Sequence, residues 1–357
     1  MCDRDLSLIV EFAFLSILGR AADPGALNYF KRQLRSGMTV EDLAIHLAGS
    51  DEARGSSPGS NASFAIPIMG SDQILTRQIW NQKLATLDAC SSAPAAIEIA
   101  PFRHSGRYDV TAIASIYKAG PYIERLLENI TSQSIFDRSE LIIIDANSPD
   151  GEGRIIEKYQ ERFPNIVYRR EPTRISIYEA WNVGVGLSRG KYITNTNADD
   201  LRRRDSFELQ ACALDESGAD VVYQNFYYSL DPTFSFEKVA EMGFVSTLPQ
   251  VNSDNLIRFN APHNAPMWKR DLHLDVGLFD SSLKSAGDWE FWLRCLTRGK
   301  RFHRVDAAHV SYFVNPDGVS TSGNSSGPEE IRTVSARYRT MIIDSYLGRN
   351  ESPRTNG

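Results

Sequence analysis

The chain has 357 residues, of which 42% are hydrophobic and 24% are charged, and its formal net charge at pH 7 is −6. This composition is typical of a globular protein with a sizeable core, and it excludes global disorder. The negative charge argues against a nucleic acid as the main partner, because proteins that bind a polyphosphate backbone are usually basic. A single nucleotide is not excluded, since a local pocket can bind one whatever the total charge.

The four cysteines are widely separated, and none has a partner at the C-x-x-C spacing of zinc and redox sites. Such thiols are typical of a reducing compartment. The sequence shows no run of about 20 apolar residues that could span a bilayer, and no signal peptide is apparent at the N-terminus. We therefore expect a cytoplasmic protein and leave open a peripheral position at the inner face of the membrane.

Residues 1–54 show the periodicity of helices. Leu8 and Phe12 recur at helical spacing, and Asp23-Pro24-Gly25 begins a second amphipathic stretch. The run from Leu18 to Glu52 resembles the DUF4214 type of domain, a helical module found beside bacterial enzymes and surface proteins. The resemblance implies an accessory role, such as protein contacts, and brings no catalytic residues with it.

The remaining chain divides by composition. Residues 55–63 and 91–100 are rich in small residues and proline, which is typical of a linker, and residues 74–87 predict one docking helix between them. From Tyr108 onwards the pattern changes to strands and helices. The predicted organisation has four parts. Residues 1–54 form a helical module, and residues 55–107 form a linker with a docking helix. Residues 108–325 form a large α/β domain, and residues 326–357 form a C-terminal helix with a tail.

In the large domain, short apolar runs typical of strands alternate with amphipathic helical stretches. This alternation predicts an α/β fold, in which helices flank a mostly parallel sheet. The predicted strands are centred on residues 110–115, 141–144, 166–168, 192–196 and 221–223. Because ligands of such sheets bind at the carboxyl ends of the strands, the polar residues at those ends are the candidates for function.

Polar side chains follow three of these strands. Ser115 and Tyr117 follow the first, Asp145 ends the second, and the acidic stretch 197–200 follows the fourth. An aromatic ring can stack on a base, and adjacent carboxylates suit a hard divalent cation that also holds phosphates. Together they predict a site for a nucleotide diphosphate with its metal ion. Taken alone, Asp145 could form only an Asx-turn, and the acidic pair could be only a solvated helix start.

The order of these elements resembles that of the family 2 glycosyltransferases, which have the GT-A fold. The resemblance covers residues 108–320 and is carried by four ordered blocks, Val110–Tyr117, Leu141–Gly151, Ala180–Asp200 and Gly277–Arg294. It implies an inverting enzyme that transfers a sugar from a UDP- or GDP-sugar to a glycan, lipid-linked or protein acceptor of a bacterial cell. It also implies a divalent cation, Mn²⁺ or Mg²⁺.

The resemblance implies a role for individual residues at matching positions. Asp199 would bind the metal ion, and Asp288 would be the general base, although alone it could be only a helix cap. Residues that would bind the donor are Ser115, Tyr117, Asp145, Arg174, Asn182, Asn197 and Asp200. Residues that would face the acceptor are His263, Trp289 and Glu290, with Glu290 as the second candidate base; a lone histidine or an aromatic at helical spacing is equally typical of a core.

Two departures from the family pattern leave alternatives open. Ala146 stands where many members have a second Asp, so the donor nucleotide is undetermined, and Asn197 replaces the first Asp of the D-x-D element. Both would suit a non-catalytic GT-A binding or scaffold protein. A nucleotidyltransferase is a further alternative, although the Gly-rich basic loop of that class is only faint at Tyr117–Gly120. Residues 226–256 lack a clear pattern, and we expect them to form acceptor loops.

Overall fold

The computed structural model describes residues 22–38, 108–315 and 327–346, together with Gly318 and several positions between 6 and 50. The predicted linker and docking helix at 55–107 lie outside the described residues. Contacts divide the chain into two compact units, and these units do not follow the chain order. We describe each unit by itself.

The larger unit contains a seven-stranded sheet with the strand order β3-β2-β1-β4-β8-β6-β9. Four of its strand pairs are parallel, and only β8 runs antiparallel to its neighbours β4 and β6. The predicted mostly parallel sheet is therefore confirmed. Its strands are β1 (Tyr108–Ile116), β2 (Ser139–Asp145), β3 (Ile166–Arg170), β4 (Gly190–Asn195), β6 (Val221–Gln224), β8 (Met267–Lys269) and β9 (Phe302–Val305). Two short strands outside it, β5 (Leu201–Arg202) and β10 (Val310–Phe313), pair with each other in antiparallel fashion.

Helices connect most of these strands, as the α/β pattern predicts. The apolar periodicity of residues 177–187 predicts a helix there, and the helix in the structure has those same bounds. The described helices of this unit are α2 (Ile123–Thr131), α3 (Gly153–Gln160), α4 (Ile177–Leu187), α5 (Ser206–Ser217), α7 (Ser253–Leu256), α8 (Leu272–Asp275), α9 (Gly287–Thr297) and α10 (Gly327–Tyr346). None of the helices in the described part of the chain is both long and apolar enough to span a bilayer.

The apolar pattern explains how the sheet is covered. Every residue of β2 is buried, which accounts for its uninterrupted apolar run between two layers of helices. Helix α2 buries Ile123, Leu126, Leu127 and Ile130 along one stripe against the sheet. Each such side chain contributes roughly 2 kcal/mol through burial of apolar surface. Because β1, β2, β3 and β4 are parallel, their carboxyl ends meet at one edge of the sheet.

The smaller unit combines distant parts of the chain. Helix α1 (Pro24–Arg35) begins at Asp23, whose carboxylate accepts hydrogen bonds from the Gly25 and Ala26 amides at 2.9 Å. The same unit contains β7 (Tyr227–Ser229) and α6 (Phe236–Met242). Its core joins side chains from both parts, among them Leu6, Ile9, Phe14, Phe30, Leu34, Met242 and Phe244. Residues 228–244 lie within the segment 226–256 that was expected to form acceptor loops, and several of them contribute to this core.

Candidate functional site

Tyr117 follows β1 and exposes 40% of its surface. The guanidinium carbon of Arg174 lies 3.6 Å from the centroid of its ring, and the Lys118 ammonium lies 5.8 Å from it. Ser115 is partly buried at the end of the same strand. The structure therefore brings Ser115, Tyr117 and Arg174 to one region. There the Arg174 guanidinium stacks on the Tyr117 ring, the face that was predicted to stack on a nucleotide base.

Asp145 is fully buried at the end of β2, and both of its oxygens have partners. One oxygen accepts the Ser148 amide at 2.6 Å, and the other accepts the Tyr168 hydroxyl and an Arg170 nitrogen, each at 2.7 Å. Arg170 also donates to the side-chain oxygen of Asn147 and to the Ser148 carbonyl. Asp145 thus positions the half-exposed Arg170 at the sheet edge, and its own contact with a base or ribose stays a prediction.

The acidic loop after β4 has one buried and one partly exposed carboxylate. Asp200 is buried; its Oδ1 accepts the Phe313 amide at 2.7 Å, and its Oδ2 accepts the Asn197 side-chain amide at 2.8 Å. Burial and then repulsion from Asp199 raise the pKa of Asp200 to about 8. Asp200 therefore supports the loop from within, and Asp199 is its partly exposed acid.

These residues fit a cation that is shared with a substrate. Within the described part of the chain, no three His, Cys, Asp or Glu side chains cluster in a way that could hold a metal ion by themselves. Mg²⁺, however, is commonly held by one or two carboxylates and the phosphates of a substrate. Asp199 and the amide oxygen of Asn197 are hard oxygen donors of this kind, and a positive charge beside Asp199 would offset its repulsion of Asp200.

The buried side chain of Arg202 forms hydrogen bonds around the base of this loop. Its buried guanidinium donates to the Asn195 carbonyl at 2.8 Å, to Gln210 at 3.0 Å and to Ser206 at 3.1 Å. Burial lowers the pKa of Arg202 to about 9, while its charge lowers the pKa of Asp200. Arg202 is therefore a buried charge that holds the loop by hydrogen bonds, and it is not solvated.

Asp288 is the second residue of α9, and each of its carboxylate oxygens accepts a hydrogen bond. Oδ1 accepts the Tyr178 hydroxyl at 3.1 Å, and Oδ2 accepts the Asn260 side-chain amide at 2.7 Å. Burial raises the pKa of Asp288, and the Asn260, Trp289 and Tyr178 hydrogen bonds partly oppose that rise. A partly exposed carboxylate with a raised pKa has the properties of a general base.

Three other predicted site residues face inward. The side-chain amide of Asn182 donates to the Phe279 carbonyl and accepts a hydrogen bond from the Phe279 backbone amide, each at 2.9 Å. The Trp289 indole donates to a backbone carbonyl at 2.6 Å, and Glu290 forms an ion pair with Arg294 at 2.8 Å. All three are almost fully buried. Their contacts are those of core residues, so the geometry gives no support to a donor contact for Asn182 or an acceptor role for Trp289 and Glu290.

His263 belongs to a small aromatic cluster. Its ring stacks on Phe226 at 5.3 Å and meets Tyr312 edge-on at 4.9 Å. Burial lowers the pKa of His263 to about 4, so its imidazole is neutral near pH 7. It therefore brings no positive charge to a phosphate.

Hydrogen bonds, one ring contact and short lengths of chain link Asp288, the predicted base, to the acidic loop. Tyr178 lies at the start of α4, which follows the carboxyl end of β3, and it reaches Asp288. From there the links run through Asp288, Asn260, His263, Tyr312, Phe313 and Asp200. The structure therefore brings the predicted base and the acidic loop to the same edge of the sheet.

Three residues of this site, Tyr178, Asn260 and Arg170, were not predicted from the sequence. Tyr178 and Asp288 are 110 residues apart, and Asn260 lies in a stretch without a regular pattern. Arg170 ends a short strand and looks like an ordinary solvated charge. Only Tyr178 carried a signal, because it lies next to the block that begins at Ala180.

Comparison with known proteins supports the resemblance. Residues 111–273 match the model of glycosyl transferase family 2. The chain is 26% identical over 118 residues to glycosyltransferase GlyG of Streptococcus pneumoniae, covering 33% of this chain and 39% of that protein. It is 30% identical over 219 residues to minor teichoic acid biosynthesis protein GgaB of Bacillus subtilis, covering 60% of this chain and 24% of that protein. The chain thus spans well under half the length of both relatives.

A solved structure shows the same fold. The crystal structure of Staphylococcus aureus TarS 1–349 in complex with UDP-GlcNAc superposes with a TM-score of 0.54 at 20% sequence identity. The superposition covers 66% of this chain and 67% of that chain.

Proposed function

Because residues 111–273 match the model of glycosyl transferase family 2, we propose that the protein is an inverting glycosyltransferase. Its donor is a nucleotide-diphosphate sugar, and its acceptor is a glycan, a lipid-linked saccharide or a protein. The TarS complex contains UDP-GlcNAc, so a UDP-sugar is the first donor to test and a GDP-sugar is the second. Residues 1–54 would serve as an accessory module, and residues 108–325 would form the catalytic domain.

One observation carries this proposal. The contacts from Asp288 through Asn260 and the His263–Tyr312 ring pair to Asp200 join a base candidate to a loop suited to a cation. A transferase of this kind needs both groups beside one reaction centre, because the acceptor must lose a proton while the diphosphate leaves the donor. A scaffold protein would have no need of a partly buried carboxylate with a raised pKa at this place.

The chemistry follows from the two carboxylates. Asp288 accepts the proton of the acceptor hydroxyl as that oxygen attacks the anomeric carbon, and the bond to the diphosphate breaks on the opposite face. One displacement of this kind inverts the anomeric configuration. Asp199, with Asn197, would hold a divalent cation, which when bound stabilises the negative charge on the diphosphate. Arg174 and Tyr117 would bind the nucleoside end.

A thermal-shift screen tests the donor. We expect UDP or GDP to raise the melting temperature in the presence of Mn²⁺, because a ligand that binds only the native state stabilises it. dTDP and CMP serve as the comparison nucleotides, and each is measured with and without the metal. A shift with none of the four nucleotides would favour the scaffold alternative.

Replacing the base tests the reaction. We expect Asp288→Asn to lower turnover of the donor by at least about 100-fold, because the amide cannot accept the acceptor's proton. Nucleotide affinity should stay near the wild-type value. Asp215→Asn is the control, since Asp215 is a carboxylate bonded to Lys191 and Tyr192 on another part of the sheet. Wild-type turnover in Asp288→Asn would remove Asp288 as the base.

A further inference from the structure

We propose that Tyr178 and Asn260 are positioning residues that hold the Asp288 carboxylate by both oxygens in a fixed orientation. The proposal rests on the proposed function, in which Asp288 is the base. Neither residue touches the reacting atoms in this role. They act through Asp288, from α4 and from the segment that follows α7.

Tyr178 is held rigidly in place. Its ring is 3% exposed, stacks on Phe279 at 6.2 Å and meets Trp181 edge-on at 5.4 Å. Gly287 closes the remaining side, because a Cβ atom there would lie 2.7 Å from the Tyr178 ring. The hydroxyl of such a ring has little freedom. It therefore fixes where Oδ1 of Asp288 can lie.

Tyr178 is also a constant donor. Burial raises its pKa well above the usual value, and the negative charge of Asp288 raises it further. The phenol consequently keeps its proton throughout the pH range in which Asp288 titrates. Its contact with the carboxylate is a hydrogen bond that favours the ionised form of Asp288.

Asn260 is oriented by the same carboxylate. Its amide nitrogen donates to Asp288, while its amide oxygen is buried and finds no hydrogen-bond partner among the described residues. A flipped amide would point that oxygen at the carboxylate and lose the bond. The contact with Asp288 is thus what decides the orientation of this side chain, and it is retained although a buried oxygen stays unpaired.

The groups that act on Asp288 come from three elements. Within the described residues, Tyr178 acts from α4, Asn260 from the segment after α7, and the Trp289 and Asp288 amides from α9 itself. All four are uncharged donors, so none of them forms an ion pair with the carboxylate. Removing either side-chain donor should make the proton harder to lose.

A direct titration tests this proposal without relying on activity. The full-length protein carries ¹³C-labelled aspartate, and the Asp288 carboxyl signal is assigned by its loss in Asp288→Asn. We expect Tyr178→Phe and Asn260→Leu each to raise the titration midpoint of Asp288 by about one pH unit. Tyr192→Phe is the matched control, because Tyr192 is another buried tyrosine that donates to a carboxylate, that of Asp215, at 2.6 Å.

Kinetics with the donor found in the screen provide the second readout. The acid limb of kcat/KM should move to higher pH by the same amount, with nucleotide affinity unchanged. A midpoint that stays at the wild-type value in both folded variants would overturn the proposal, and if one variant fails to fold, the other decides. If the midpoint moves while no donor turns over, the positioning role stands and the proposed function fails.

Discussion

Asn197 provides a hydrogen-bond donor inside the acidic loop 197–200. Its side-chain nitrogen donates to the buried Asp200 at 2.8 Å, and the Phe313 amide occupies the other oxygen. An aspartate at 197 would offer no such donor. The departure from D-x-D is therefore consistent with a loop in which Asp200 is turned inward and Asp199 is the partly exposed acid.

Restoring the acidic pattern tests this explanation. We expect Asn197→Asp to lower the free energy of unfolding by about 1–3 kcal/mol, because a buried carboxylate loses a donor and gains a like charge. Urea unfolding at pH 9, where Asp200 is ionised because its pKa is about 8, measures the change, and Asn197→Ala separates the lost bond from the added charge. The double variant Asn197→Asp with Asp200→Asn should recover part of the loss. An Asn197→Asp protein as stable as the wild type would contradict the explanation.

Among the secondary-structure elements, α10 braces the helix that carries Asp288. The Glu330 carboxylate accepts hydrogen bonds from the backbone amides of Lys284, Ser285 and Ala286 at 2.8–3.1 Å. Further along α10, Tyr338 donates to Glu290 on α9. A carboxylate at a helix N-terminus compensates the unpaired amides there. Helix α10 thus fixes the first turn of α9 from outside the sheet.

Weakening this brace should loosen the first turn of α9. We expect Glu330→Gln to cost about 1 kcal/mol of stability, because the neutral amide accepts hydrogen bonds less strongly and Glu330 is partly exposed. Hydrogen exchange of the amides at 284–290 should speed up. Glu329→Gln is the control, since Glu329 is the exposed neighbour on the same helix. Unchanged exchange at 284–290 in Glu330→Gln would show that Glu330 does not brace the turn.

The elements themselves were largely predictable, and the contacts between them were not. Apolar periodicity placed β1, β2 and α4 correctly, because each element's own sequence determines which faces are buried. The antiparallel direction of β8 has no local signal. The same holds for the Tyr178–Asp288 and Glu330–Ala286 contacts, which join residues 110 and 44 positions apart. The ordered blocks predict Asp199 and Asp288 as site residues, but only the structure shows that Tyr178 and Asn260 hold the Asp288 carboxylate.

For the molecule as a whole, buried histidines connect stability to pH. His273 and His309 are buried, and burial lowers the pKa of His273 to about 4 and that of His309 to about 3. Both pKa values lie below the usual 6.5. Between pH 6.5 and the lowered pKa of each histidine, the unfolded chain therefore binds a proton that the folded protein does not. Stability contributed by neutral histidines is therefore present at pH 7 and decreases as the pH falls. Asp200 opposes this trend, because its raised pKa makes the folded state bind a proton first.

We expect the free energy of unfolding to fall between pH 6.5 and 4.5. Each buried histidine contributes up to about 1.4 kcal/mol per pH unit. His263, His273 and His309 together therefore outweigh Asp200 and Asp288, whose raised pKa values act in the opposite direction. Urea unfolding at pH 7.5, 6.5, 5.5 and 4.5 measures the slope. His273→Gln should flatten it, and His303→Gln, at an exposed position, should not. Stability that is constant or rises over this range would refute the prediction.

The smaller unit has a consequence for biosynthesis. Its core unites side chains between positions 6 and 47 with Met242, Phe244 and neighbouring residues. A ribosome that adds about 5–20 residues per second makes the first group roughly 10 to 40 seconds before the second. During that interval Leu6, Ile9 and Phe14 lack part of their eventual cover. The nascent N-terminal segment is therefore a natural client for a chaperone until translation has passed residue 244.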